Sequence, residues 1–115
     1  MRVIARSTLS GFVQKQVEFR LRASVKSHLD AWYAEVSKAE WKTSAELKQH
    51  YRSASIVSSS RVVFNIRGND FRLVAAMNFD YQVLFIKWLG THREYDRIDV
   101  EEVEYDEARY ADPPH

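Results

Sequence analysis

RVVFNIRGNDFRLVAAMNFDYQVLFIKWLGTHREYD, residues 61–96, carries the reading of this chain. Side chains alternate between the two faces of a strand, so Val62, Phe64 and Ile66 share one face and Arg61, Val63, Asn65 and Arg67 the other. Gly68-Asn69-Asp70 tolerates positive φ and supplies a turn. Phe71, Leu73, Ala75, Met77 and Phe79 then form one face of a second strand, opposite Arg72, Val74, Ala76 and Asn78. Asp80-Tyr81 turns the chain into a third strand, Gln82–Leu89. Thr91-His92-Arg93-Glu94 is a capping box, which starts a helical turn with His92 at its first position. Asn65, Arg67, Asn69, Arg72, Lys87, His92 and Tyr95 are set into this apolar frame. A strand core does not need so many long cationic and polar side chains, and these suit a surface that handles a phosphate backbone.

Upstream the periodicity is helical. Arg2 to Ala5 reads as a short first strand, and Ser7 or Thr8 can cap a helix in which Val13, Val17 and Leu21 recur at i+4. Leu21, Val25, Leu29, Trp32 and Val36 continue the stripe, in one long helix or in two with a break near Arg22–Ser24. Thr43-Ser44-Ala45-Glu46 is another capping box, predicting a short helix through Tyr51. The Ser-rich stretch from Ser53 to Ser60 reads as a loop or an edge segment. Helices first and an antiparallel meander last predict an α+β fold with the helices on one sheet face.

At 115 residues the chain has the size of one domain with a substantial core. It has no run of ~18 apolar residues, and MRVIARSTL lacks the apolar stretch of a signal peptide. The absence of cysteine excludes disulfides, thiolate-bound zinc and a thiol nucleophile. The cytoplasm is the simplest location.

Net charge is +1, but it is unevenly distributed. Residues 1–98 carry sixteen Lys and Arg against nine Asp and Glu, and residues 99–115 carry one Arg against seven acids. A basic body permits a nucleic-acid partner, although many basic surfaces are only solvated faces. The last seventeen residues hold little to bury and end with Pro113-Pro114 before His115, so residues 99–115 read as a mobile acidic extension, helical at its start. The extension is either a solvated tail or an electrostatic screen over the basic body.

His28, His50, His92 and His115 are scattered, with no ligand spacing for a metal, and there is no Gly-rich phosphate loop and no Gly-x-Ser-x-Gly elbow. Metal-free RNA cleavage fits the inventory better. RNA brings its own nucleophile, the 2′-hydroxyl; the protein must orient the strand, move protons and neutralise charge on the phosphate. Arg and Lys suit the charge, and His or Tyr the proton. Arg72 could equally serve a structural ion pair, Lys87 could snorkel out of an apolar strand, His92 could merely cap, and Tyr95 could be core. At a helix start, the dipole favours a neutral, proton-accepting His92 ring. Asn65 and Asn69 suit the hairpin as well as RNA. Trp32, Trp41 and Trp88 read as core.

Several of these segments together resemble the HigB-type toxins of the RelE superfamily of messenger-RNA interferases. The resemblance spans roughly residues 1–100, on MRVIARSTL, AWYAEVSKAEW at 31–41 and LKQHYRSAS at 47–55. Most specific are RVVFNIRGNDFRLVAAMNF at 61–79 and FIKWLGTHREYDRID at 85–99, in that order and spacing. It implies a RelE-like twisted, mainly antiparallel sheet, a toxin domain over 1–98 and an added extension over 99–115. It also implies a toxin that cuts messenger RNA on the ribosome without a metal or cofactor. The partner would be a helix-turn-helix, HigA-like antitoxin, whose complex with the toxin binds operator DNA. Membranes play no part. Arg72 matches the strand arginine assigned to the cleaved phosphate, Lys87 lies near a second cationic position, and His92 and Tyr95 match positions for proton transfer or base stacking. Arg61, Asn65, Arg67 and Asn69 would contact RNA. VEFRLRAS at 17–24 departs from the family's more polar link, as does the long acidic extension. A RelE-like binding module without nuclease activity is the alternative, and a small metal-independent hydrolase unrelated to RNA a third.

Overall fold

The structure is a computed structural model that describes residues 1–110. A five-stranded sheet has the order β1-β5-β4-β3-β2, with β1 (Arg2–Ile4) parallel to β5 (Val83–Thr91). The remaining pairs, through β4 (Phe71–Asn78), β3 (Arg61–Ile66) and the short β2 (Ser55–Ile56), are antiparallel. The expected α+β architecture with a mainly antiparallel sheet is therefore present. No helix among the described residues is long and apolar enough to cross a membrane.

Helix α1 (Arg6–Gln16) is followed by a single 3-10 turn (Phe19–Leu21) and then α2 (Arg22–Lys38). The break falls at Val17–Leu21, just before the predicted Arg22–Ser24. There Val17 takes an extended conformation with its side chain buried, and Arg22 Nε donates to the Val17 carbonyl across the gap. The apolar stripe does its predicted work: Val25, Leu29, Trp32 and Val36 are all buried. They meet Phe64, Leu73 and Leu84 of the sheet, with Trp32 edge-on to Phe64 at 5.4 Å and Phe12 edge-on to Phe71 at 5.7 Å. Burying each such side chain stabilises the fold by roughly 1.5–3 kcal/mol. Trp41 and Trp88 are buried as well. In α3 (Ser44–His50) Thr43 accepts from the Glu46 backbone N–H, but the Glu46 carboxylate reaches Lys42 N–H, one residue beyond the capping-box position.

Residues 99–110 lie against the body, where a mobile extension was expected. After α4 (His92–Tyr95) the chain crosses the sheet face opposite the helices, where Val100 and Val103 pack on Val63, Val74 and Trp88. It then rounds the edge of β5 and ends in a short turn, α5 (Glu107–Tyr110), beside α1. The physical reason is the open edge of β5. Strand β1 pairs with it only as far as Phe85, leaving the backbone of Leu89 without a strand partner on that side. The Tyr110 hydroxyl accepts from Leu89 N–H at 2.8 Å and donates to Leu89 C=O at 3.1 Å, while Arg109 donates to the same carbonyl. Buried backbone groups need such partners, and an unpaired edge invites association with another strand. Tyr110 is 2 % exposed and belongs to the main core. Pro113-Pro114 and the rest of the extension, residues 111–115, lie outside the described residues.

Candidate nucleic-acid interface

The sheet face away from the helices is assembled by register. Arg61 pairs with Ala76, Val63 with Val74, and Asn65 with Arg72; across β4, Val74 pairs with Trp88 and Arg72 with Gly90. An irregularity at Val74/Ala75 leaves Lys87 as the extra residue of β5, between Ile86 and Trp88. A bulge of this kind re-aims a side chain. Lys87 Nζ lies 5.8 Å from the Phe85 ring and 2.8 Å from Glu104, so this lysine reaches the outer face beside Trp88.

The eight sequence candidates fall into three environments. The first is at the hairpin end. Arg72 Nη1 donates to the carbonyls of Asn69 at 2.9 Å and Phe71 at 3.2 Å, which holds the guanidinium toward the β3–β4 turn. Asn65 stands directly across the ladder, and its amide donates to Ser53 C=O. His92 N–H donates to Asp70 C=O at 3.1 Å, tying the start of α4 to that same turn. One four-residue turn thus sets both Arg72 and His92, with Asn69 exposed between them.

The second environment is beneath the C-terminal strap. Arg61 is 8 % exposed; its Nη1 donates to the Val103 carbonyl at 2.6 Å and its Nη2 pairs with Glu104 at 3.1 Å. It is a buried anchor of the strap, and its guanidinium does not face solvent. Lys87 shares the Glu104 carboxylate. Tyr95 is half buried, with its ring 6.3 Å from Trp88 and among Ile98, Val100 and Val103.

Arg67 is in the third. Its φ of 54° and that of Gly68, 65°, are both left-handed, so the alternation of β3 ends at Ile66. Instead of joining Arg61 and Asn65, Arg67 turns to the helix side, donating to Ser24 Oγ at 2.8 Å and pairing with Asp70 at 2.5 Å. It lines a cleft with His28, Trp32 and Glu35. There the Tyr51 hydroxyl donates to Glu35, and burial, then Glu35, pushes that phenol above its ordinary value. Among the described residues no group of three or more His, Asp or Glu side chains could hold a metal ion.

Three residues missing from the sequence reading complete the face. The Thr91–Glu94 capping box forms as expected, and Arg109 closes it from outside, pairing with the Glu94 carboxylate at 3.2 Å while lying 5.3 Å from the Trp88 ring. Gly90 makes room for this arrangement: a Cβ there would come within 2.5 Å of the Trp88 ring and 2.8 Å of Arg109. Glu104 binds both strap-covered cations. The signal in the sequence was the pair Val100 and Val103 with Tyr110, apolar residues spaced through an acidic tail.

Electrostatics follow these contacts. Lys87, and less strongly Arg61, hold the Glu104 carboxyl below its ordinary value. Burial raises Glu94, but the Thr91 backbone N–H and the Arg109 guanidinium together outweigh it, and the net displacement is downward. A depressed carboxyl contributes stability above its unfolded value, about 4.3, and loses it as pH falls through the folded value. Amide exchange in α4 is therefore expected to quicken below about pH 4. In Arg109→Ala the onset should move to higher pH; an unchanged onset would count against the clamp.

Comparison with curated proteins finds no match. Residues 25–98 match the family model HigB_toxin, the RelE-like toxic component of a toxin-antitoxin system. That span holds β2 to β5, all but the first three residues of α2, together with α3, α4 and all eight candidate residues, and it stops where the strap begins. The chain belongs to this family of RelE-like toxins.

Proposed function

We propose that the protein is an endoribonuclease that cuts messenger RNA on the translating ribosome and is neutralised by a helix-turn-helix, HigA-like antitoxin. The observation that carries this reading is the β3–β4 turn, which brings a strand arginine and a histidine to one exposed corner of the sheet. Nη1 of Arg72 is held by two backbone carbonyls. Nε and Nη2 make no hydrogen bond or ion pair among the described residues, and a guanidinium fork of this kind suits the non-bridging oxygens of a phosphodiester. The 2′-hydroxyl attacks the adjacent phosphorus, the P–O5′ bond breaks, and a 2′,3′-cyclic phosphate is left. His92 serves the proton transfers, removing the 2′-proton or protonating the departing 5′-oxygen. Tyr95, half buried beside Trp88, offers part of its ring to a base, and Lys87, when released from Glu104, a second cation. The reaction draws its nucleophile from RNA and needs no metal to generate one.

Induced expression should arrest growth, and primer extension on a translated message should show cuts inside the reading frame. Intact messages in growing cells would overturn the reading. Salt-dependent RNA binding without cuts on purified ribosomes would establish the non-catalytic module instead.

A further inference from the structure

We infer that Arg61 and Lys87 form a phosphate subsite for the RNA strand, which the chain's own Glu104 occupies in competition with RNA. This inference rests on the RNA reading above and assigns regulation to the same face. Each Glu104 oxygen meets a different cation: Oε1 lies 3.1 Å from Arg61 Nη2 and Oε2 2.8 Å from Lys87 Nζ. Two anionic oxygens bridging an arginine and a lysine are what the non-bridging oxygens of a phosphodiester would present. Glu104 itself is 66 % exposed, so it is held by these charges and not by packing.

Between its two ends the strap that carries Glu104 is held by Arg61, which donates to the Val100 and Val103 carbonyls, and by few apolar contacts. Only Val100 and Val103 rest on the Val63, Val74 and Trp88 patch, and both stay partly exposed. Upstream the chain is fixed by the α4 capping box, and downstream by Tyr110 in the core. Tyr105 stacks on Tyr110 at that end, so the segment free to lift is residues 99–104, and lifting it exchanges the Arg61 bonds to the Val100 and Val103 carbonyls for bonds to water or to a ligand. The subsite is also placed for one strand: the Lys87 bulge lies opposite Val74/Ala75, two to three residues along β4 from Arg72, roughly 7–10 Å. When the strap lifts, Arg61 gains access to solvent and Lys87 loses its internal partner.

The test measures binding of a short fluorescein-labelled single-stranded RNA to the full chain by anisotropy across a salt series. Glu104→Ala and Glu104→Gln are compared with wild type and with Glu102→Gln, which removes the same charge from an exposed position nearby. Freeing a site that is mostly closed should tighten binding about fivefold. One added phosphate contact should steepen the log–log salt slope by about 0.7. Glu102→Gln should bind as wild type does, and Lys87→Ala added to Glu104→Ala should remove most of the gain. Glu104 variants that match wild type or Glu102→Gln in affinity and slope would overturn the inference. If wild type cuts messages yet Glu104→Ala binds no tighter, only the subsite fails. If Glu104→Ala tightens binding and no message is cut, the subsite stands and the nuclease fails. No RNA binding by any of them overturns both.

Discussion

Arg72→Ala is expected to lower message cleavage on ribosomes by about 10²–10³, the usual effect of losing one donor to a developing phosphate charge. The loss should appear mainly in the cleavage rate, because the charge that Arg72 meets develops only in the transition state. Arg72→Lys should recover only part of it, since an ammonium cannot reproduce the two-pronged fork. The substitution is structurally mild: the side chain is half exposed, and its two internal contacts are to carbonyls of Asn69 and Phe71. Melting temperature should therefore change little while cleavage collapses. Single-turnover cleavage of a programmed ribosome complex, read beside a thermal melt, separates the two. Wild-type cleavage by a folded Arg72→Ala variant would remove this arginine from the chemistry.

The parts of this fold that sequence made legible are those set by local rules. Period-two alternation located β3 and β4, and the Thr91 box located α4 to the residue, because a cap is decided by four adjacent side chains. Local rules fail where partners are distant. Arg67 leaves the face of Asn65 because its own φ is left-handed, and the alternation ends before the turn the glycine announces. Lys87 reaches the outer face because β5 bulges against β4, which no inspection of β5 alone reveals. Arg61 looked like an RNA contact because a cation on a strand face has no visible partner in sequence; its partners are two carbonyls and a carboxylate about forty residues away. The acidic tail misled for a related reason. Its charge suggested solvent, but the second sheet face is apolar at Val63, Val74 and Trp88 and needs cover, and Val100 and Val103 provide it.

The tail's two halves should respond in opposite directions, and its far end carries the larger effect on stability. Tyr110→Ala is expected to destabilise the protein by about 3–5 kcal/mol, as for other large aromatic truncations in a core. That corresponds to a fall in melting temperature of roughly 10–20 °C. The ring is buried, its hydroxyl serves both backbone groups of Leu89, and its carbonyl would lie 1.8 Å from a Cβ placed on Gly11. Tyr110→Phe keeps the ring and loses the hydroxyl, leaving Leu89 N–H without its acceptor, so a smaller cost of about 1–3 kcal/mol is expected. Gly11→Val approaches the same contact from α1 and should displace α5 with a comparable loss. Truncation after Ile98 should reproduce the Tyr110→Ala melt or exceed it, although the family match ends at that residue. Toxicity should fall with these variants as well, because Arg109 next to Tyr110 clamps the helix that carries His92 and Tyr95. Glu104→Ala, only six residues earlier, should lower the melt far less than Tyr110→Ala, since Arg61 keeps its two carbonyl partners, and should tighten RNA binding. A truncated chain that melts and cleaves like wild type would show that β5 manages its open edge without Tyr110.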